Sequence, residues 1–253
     1  MDSPSSLARW RGKIAFVTGG SSGIGRAVAL DLAALGCKVA VSGRRHDALN
    51  TTVNAIRDAG AEALALPGDQ TDPAVITDWF RTLRETWGGV SVLVNSAGTC
   101  GPASVLQGEW DSIKTAFDLN VLAALQCMRE ACTDMRDQPD AAIINLSSMT
   151  GHRVLPGTPA LYAATKHALR ILTDGVRAEL AAENAAVKVA LLSPGLVDTP
   201  WHARPGGMLE TKGGYPFEPL QADDIAAAVR YILSAPPHVQ IGDIQIRSVG
   251  QPF

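Results

Sequence analysis

Near its N-terminus the chain reads Lys13-Ile14-Ala15-Phe16-Val17-Thr18-Gly19-Gly20-Ser21-Ser22-Gly23-Ile24-Gly25, an apolar run that ends in a glycine-rich turn and passes directly into a helical pattern from Ile24 to Leu35. A strand feeding a helix through such a turn is the first half of a βαβ unit. Glycine lets the turn tighten and the backbone approach a ligand, while the free N–H groups and positive dipole of the following helix stabilise an anion. The turn reads as a cradle for a pyrophosphate, with Gly19, Ser21, Ser22, Gly23, Ile24 and Gly25 as its contacts. Its spacing is Gly-x-x-x-Gly-x-Gly rather than the Gly-x-Gly-x-x-Gly of the standard dinucleotide fingerprint. Taken alone, it is equally an ordinary strand-to-helix connection.

The rest of the chain continues the pattern. Further strands are expected at Lys38 to Ser42, Glu62 to Leu66, Val90 to Asn95, Ala142 to Leu146, Lys188 to Leu192 and Asp243 to Arg247. Helical periodicity covers Asp47 to Ala59, Pro73 to Trp87, Glu109 to Met135, Leu161 to Glu183 and Ala222 to Leu233. Strands alternating with helical crossovers predict an α/β class: one Rossmann-type doubly wound domain over residues 1–253, with about seven parallel strands and helices on both faces. One stretch rich in glycine and proline, Gly195 to Leu220, lacks either periodicity and is expected to be a substrate lobe.

Composition narrows the function. The chain has 253 residues, 46% hydrophobic and 19% charged, with 22 Lys+Arg against 25 Asp+Glu, so the basic excess of a nucleic-acid binder is missing. No apolar run approaches a membrane span and the first dozen residues lack the core of a signal peptide, so a cytoplasmic enzyme is expected. Four scattered cysteines and five histidines form neither a disulfide framework nor a metal-ligand spacing, and no metal is expected.

At the end of the second strand an NAD-binding unit carries a carboxylate for the ribose 2′-hydroxyl. This chain has Val41-Ser42-Gly43-Arg44-Arg45 there, two guanidiniums and no carboxylate, which favours a 2′-phosphate and hence NADP(H). Arg44, nearer the strand end, is the first candidate and Arg45 its support. Ligands in open parallel sheets lie at the carboxyl ends of strands. Asp69-Gln70 after the third strand and Asn95-Ser96-Ala97-Gly98 after the fourth are therefore further candidates, with Asp69 an acceptor for an adenine amino group. Asp72, before Pro73, reads instead as a helix cap.

Tyr162 and Lys166 lie four apart on one helical face, in a chain with only 3 tyrosines. A nearby ammonium favours the phenolate, which would make Tyr162 an acid or base near neutrality. A tyrosine packed under a solvated lysine is the alternative. The fifth strand ends in Asn145-Leu146-Ser147-Ser148, placing hydroxyls at the same sheet edge, where a serine can donate to a carbonyl oxygen. Gly-x-Ser-x-Gly is absent, so acyl-enzyme chemistry has no support.

In this order the glycine turn, Asn95-Ser96-Ala97-Gly98, Asn120, Ser148, Tyr162-x-x-x-Lys166 and Pro194-Gly195 resemble the short-chain dehydrogenase/reductase superfamily across essentially the whole chain. The resemblance implies that Tyr162 is the acid/base, that Lys166 holds the nicotinamide ribose and lowers the Tyr162 pKa, and that Ser148 orients the carbonyl. It implies that Asn120 positions a water for a proton relay, and that Pro194, Gly195, the Val197 backbone and Thr199 clasp the nicotinamide carboxamide. The interval from Ser148 to Tyr162 is one residue longer than usual, which leaves Ser147 as an alternative to Ser148.

Three outer stretches, Arg9-Trp10-Arg11-Gly12, Met149 to Pro156 and Pro237 to Arg247, resemble the NADP-dependent branch containing animal ketosteroid dehydrogenase/reductases and insect farnesol dehydrogenases. A hydrophobic ketone or alcohol is the implied substrate, with a polar or bicyclic ketone of a biosynthetic pathway as the alternative and a non-catalytic NADP-binding regulator as the third reading. Trp201, Met208, Leu209, Tyr215 and Phe217 are expected to line an apolar pocket. Family resemblance also implies a homodimer or homotetramer paired through the helices near Glu109 to Met135 and Leu161 to Glu183, with Cys127 and Cys132 buried by the partner or, equally, by packing on the sheet.

Overall fold

The apolar run before the glycine turn forms strand β1 (Ile14–Thr18), buried on both faces near the middle of a parallel sheet. The computed structural model describes residues 4–154, 158–200 and 217–252. Leu155 to Gly157 and the lobe residues Trp201, Met208, Leu209 and Tyr215 lie outside the described residues. In chain order the elements around β1 are α1 (Pro4–Ala8), α2 (Gly23–Ala34), β2 (Lys38–Gly43), α3 (His46–Asp58), β3 (Ala63–Pro67), α4 (Pro73–Trp87), β4 (Val92–Asn95) and α5 (Trp110–Phe117). They are followed by a π-helical turn at Asp118–Ala123, α6 (Ala124–Met135), β5 (Ala141–Leu146), a 3-10 turn at Met149–Gly151, α7 (Ala160–Ala182), β6 (Val187–Pro194), α8 (Ala222–Ser234) and β7 (Asp243–Ile246).

The strands run in the order β3-β2-β1-β4-β5-β6-β7, all parallel. Because side chains alternate across a strand, the inner strands each supply two cores. Val17, Val41, Val94, Ile144 and Leu192 join the core under α2, α3 and α8. Phe16, Ala40, Leu93, Ile143 and Val189 join the core under α4, α6 and α7. Full burial of such side chains contributes about 1.5–3 kcal/mol each, which is why the register is strongly held.

Local signals set the helix ends. Asp72 accepts from the Ala74 N–H at 2.9 Å, Pro73 takes the first turn of α4, and Gly88 closes it in the left-handed region at φ 96°. Gln221 and Asp224 form a reciprocal capping box at the start of α8.

One expectation changes and one alternative is decided. The stretch from Glu109 to Met135 is not one α-helix, because the π turn interrupts it around Asn120. Cys127 and Cys132 are covered by the chain's own sheet, at 0% and 9% exposure, and need no partner to bury them.

Candidate active site

The chain leaves β1 through α2 toward β2 and β3, then crosses back to place β4 on the other side of β1. That reversal opens a crevice between the loops after β1 and β4, the place where open α/β sheets bind ligands. Thr18 holds the two loops together, its Oγ1 accepting from the N–H groups of Ser96 at 3.1 Å and Ala97 at 3.2 Å. Gly19 adopts φ +68°, and a Cβ there would lie 2.9 Å from Ala97 Cα; a Cβ on Gly25 would lie 2.5 Å from the Gly19 carbonyl oxygen. Only glycine fits at either place: Gly19 lets the turn pack on the loop after β4, and Gly25 lets α2 begin against the backbone of the turn itself.

Ser22 occupies the N-cap of α2 but does not cap it; its Oγ instead accepts from Arg45 Nη2 at 3.0 Å, and Ser21 Oγ from the same nitrogen at 3.3 Å. Arg45, not Arg44, therefore lies across the glycine turn. Arg44 is exposed and acts on Asp69, whose carboxyl is held below the usual range chiefly by the Thr71 N–H and further by Arg44. Asp69 closes a local turn, accepting from Thr71 N at 3.0 Å and Thr71 Oγ1 at 2.9 Å. Gln70 is buried with its amide against Cys127 Sγ at 3.7 Å, so its side chain faces the core rather than the strand end.

Asn95 also turns inward. Its Nδ2 donates to Asn145 Oδ1 at 2.9 Å, and Asn145 Nδ2 donates to Thr173 Oγ1 at 2.9 Å, a buried chain of amides bracing β4, β5 and α7. Its side chain is a brace for the sheet, whereas the small residues Ala97 and Gly98 keep the backbone after β4 open.

Tyr162 and Lys166 stand on the first turns of α7, over the end of β5. The Tyr162 hydroxyl is hydrogen-bonded to Ser148. Ser147 Oγ points the other way, donating to the Lys166 carbonyl at 3.2 Å, and so ties β5 to α7. Lys166 Nζ donates to the Leu146 carbonyl at 2.7 Å and lies 5.7 Å from the centroid of the Tyr162 ring. Burial lowers Lys166 to about 8 and pushes Tyr162 above its ordinary value, with the Ser148 bond acting in the opposite sense. The depression of Tyr162 expected from Lys166 does not appear: burial and Cys100 raise the phenol, and Ser148 is the group that lowers it.

Asn120 is 1% exposed and its side chain is fully engaged. Nδ2 donates to Thr99 O at 2.7 Å and Thr165 Oγ1 at 3.0 Å, while Oδ1 accepts from Thr99 N at 2.8 Å. A Cβ on Gly98 would lie 3.2 Å from Asn120 Oδ1 and 3.7 Å from Lys166 Nζ, so Gly98, Asn120 and Lys166 converge. Thr99, Thr165 and the π turn carry this convergence and were not legible beforehand; an asparagine inside a helical pattern is the only signal for it.

The segment after β6 lies over the glycine turn: a Cβ on Gly23 would be 3.3 Å from Thr199 Cβ. Gly195 N donates to Ile246 O at 2.7 Å, Leu196 N to Gln251 Oε1 at 2.9 Å and Asp198 N to Leu220 O at 2.7 Å. Between them the N–H of Val197, a residue 4% exposed, has no partner among the described residues. A backbone donor without a protein partner suits a ligand acceptor.

One further group carries a serine, a histidine and a carboxylate. His152 Nε2 faces Ser193 Oγ at 2.9 Å and Asp243 Oδ2 at 3.5 Å. Both partners share one nitrogen and Ser193 is fully buried, so the relay of an acyl-transfer triad is not formed.

Comparison with known proteins gives the same reading. A family model described as short chain dehydrogenase matches residues 13–206. The chain is 38% identical over 253 residues to dehydrogenase/reductase SDR family member 11 of Bos taurus, covering 97% of this chain and 99% of that protein. It is 34% identical over 251 residues to a farnesol dehydrogenase of Aedes aegypti, covering 98% and 100%. Among solved structures it superposes on an alcohol dehydrogenase from the archaeon Thermococcus sibiricus complexed with 5-hydroxy-NADP, with a TM-score of 0.83, 26% identity and coverage of 95% and 98%. With its doubly wound sheet, its glycine cradle and the Ser148, Tyr162 and Lys166 side chains at one strand edge, the chain belongs to the short chain dehydrogenase family of oxidoreductases.

Proposed function

We propose that this enzyme interconverts a ketone or aldehyde and the corresponding alcohol with NADP(H), Tyr162 exchanging the proton. The observation that carries the reading is the placement of Lys166 one helical turn from Tyr162, its Nζ against Gly98 in the loop that packs on the glycine turn, with Ser148 acting on the Tyr162 hydroxyl as a hydrogen-bond partner. The donor set fits the cofactor: backbone and helix N-terminus for the pyrophosphate, the Arg45 guanidinium for the 2′-phosphate, and the Val197 N–H for an acceptor at the nicotinamide end. When bound, the nicotinamide gives or takes a hydride.

The protein's own groups do the rest. Ser148 and Tyr162 donate to the substrate oxygen and favour the charge that develops there. Tyr162, held protonated by burial, is the acid for reduction, and Lys166 supplies positive charge beside it below about pH 8. A water-linked proton path between Lys166 and Asn120 is supported by the π turn at Asp118–Ala123 and by the approach of both side chains to Gly98.

An apolar substrate of steroid or terpenoid type is supported by the similarity to an enzyme named farnesol dehydrogenase. A homo-oligomer is supported by apolar side chains left exposed on the outer helices, Trp110 at 75%, Leu122 at 56% and Ile171 at 57%. No helix of the described residues is long and apolar enough to cross a membrane.

Fluorescence titration with NADPH and NADH, then NADPH oxidation against steroid, terpenoid, bicyclic and small ketones, tests the reading. NADPH preference with turnover of an apolar class supports it; binding without turnover on any ketone overturns the catalytic assignment.

A further inference from the structure

Strand β6 ends at Pro194, yet the backbone beyond it stays ordered by a series of specific acceptors. The β6–β7 ladder closes with the Gly195 N–H on Ile246 O. The next donor, Leu196 N–H, has no strand carbonyl to meet; the chain has turned back at Ser248–Gln251, where Gln251 N donates to Ser248 O at 3.1 Å. The side-chain carbonyl of Gln251 takes the missing place, accepting from Leu196 N at 2.9 Å. Gly195 makes room for it: a Cβ there would lie 2.2 Å from Gln251 Oε1 and 2.9 Å from Arg247 Cβ. The turn is itself backed by Phe217, whose Cβ would lie 2.9 Å from a Cβ on Gly250.

On the other side, Leu220 pairs with the same segment, its N–H donating to Leu196 O and its carbonyl accepting from Asp198 N. Leu196 is thus held at both its N–H and its carbonyl, and the peptide that follows it carries the Val197 N–H, which has no partner among the described residues.

We propose that Gln251, at the C-terminal end of the chain, is a positioning residue for the nicotinamide end of the cofactor: its side chain fixes the Leu196 backbone so that the Val197 N–H is presented to the ligand. This rests on the cofactor reading above. Gln251 touches no reacting atom; it acts through one hydrogen bond on the adjoining peptide. Loss of the acceptor leaves the Leu196 N–H unpaired and releases the Gly195–Leu196 peptide, so that Leu220 alone holds the Val197 peptide, through Leu196 O and Asp198 N.

The test compares NADPH with 2′,5′-ADP, which carries the adenosine, the 2′-phosphate and one 5′-phosphate but no nicotinamide. Gln251→Leu is expected to weaken NADPH binding about tenfold, the usual cost of orphaning a partly buried donor, and to leave 2′,5′-ADP binding within about twofold. Gln251→Glu, which keeps an acceptor oxygen, is expected to recover most of the NADPH affinity. Unchanged NADPH affinity in Gln251→Leu overturns the proposal, as does an equal loss for both ligands, which would mark Gln251 as a general structural residue. If the wild-type protein binds 2′,5′-ADP and NADPH equally, no nicotinamide contact exists to be positioned and the proposal falls. If it binds neither, the cofactor reading falls with it.

Discussion

Arg45 Nη2 and Ser22 Oγ are 3.0 Å apart, which puts a guanidinium on the first turn of α2 although the two residues are 23 apart in the chain. Arg44, its neighbour, faces Asp69. A phosphate on the ribose would meet Arg45 together with the Ser21 and Ser22 hydroxyls. Arg45→Ala is expected to weaken NADPH binding by about tenfold or more with little effect on NADH, and Arg44→Ala to do less. Dissociation constants for both cofactors in both variants check this; a larger loss from Arg44→Ala would reverse the assignment.

Removing the Tyr162 hydroxyl tests the chemistry directly. Tyr162→Phe keeps the ring and its packing, so NADPH affinity should hold while kcat for ketone reduction falls about 10²–10⁴-fold. Ser148→Ala removes one donor to the substrate oxygen and is expected to cost about 10²–10³ in kcat. Ser147→Ala, by contrast, should show mainly as lost stability, since that hydroxyl ties β5 to the Lys166 carbonyl.

Lys166 gives a pH dependence with a definite sign. Its pKa is lowered from 10.5 to about 8 by burial, so below pH 8 the folded state holds a charge that its surroundings disfavour. Between pH 8 and 10.5 the unfolded chain binds the extra proton, and this group's contribution to stability rises with pH. The neutral Lys166→Met variant lacks that slope. Its stability relative to wild type should be most favourable near pH 7 and decline by about 3 kcal/mol toward pH 10.5. Urea unfolding of both proteins at several pH values measures the difference; a constant difference would contradict it.

Away from the site, Lys188 holds the far end of the sheet. Its Nζ donates to the carbonyls of Ala235 at 2.8 Å, Pro236 at 2.5 Å and Val239 at 2.8 Å, and the residue is 6% exposed. Lys188→Met leaves the Val239 carbonyl without its donor, while Ala235 O keeps Arg9 Nη2 and Pro236 O keeps the Val239 N–H, and it is expected to destabilise the protein by about 1–3 kcal/mol, read as a lower urea midpoint. NADPH affinity measured well below the new midpoint should be unchanged, because the opposite ends of the strands carry the cradle.

The alternation of apolar strands and helical crossovers determined the class, the order of elements and the parallel sheet, because the inner strands are buried on both faces and each helix on one. Those are local patterns with periods of two and 3.6 residues. The Tyr162–Lys166 pair and the glycine turn were legible for the same reason: their members are a few residues apart. Tertiary structure alone decided which of two adjacent side chains reaches a given neighbour. Arg45 rather than Arg44 reaches Ser22, and Ser148 rather than Ser147 reaches Tyr162, since neighbours in a chain point in different directions once the backbone is fixed. It also turned Asn95, Gln70 and the Asn120 side chain inward, where buried amides find partners that no spacing reveals. The Leu196–Gln251 bond spans 55 residues and appears only when β6 and β7 lie side by side, which is why a polar residue two places from the C-terminus carries no signal in the sequence.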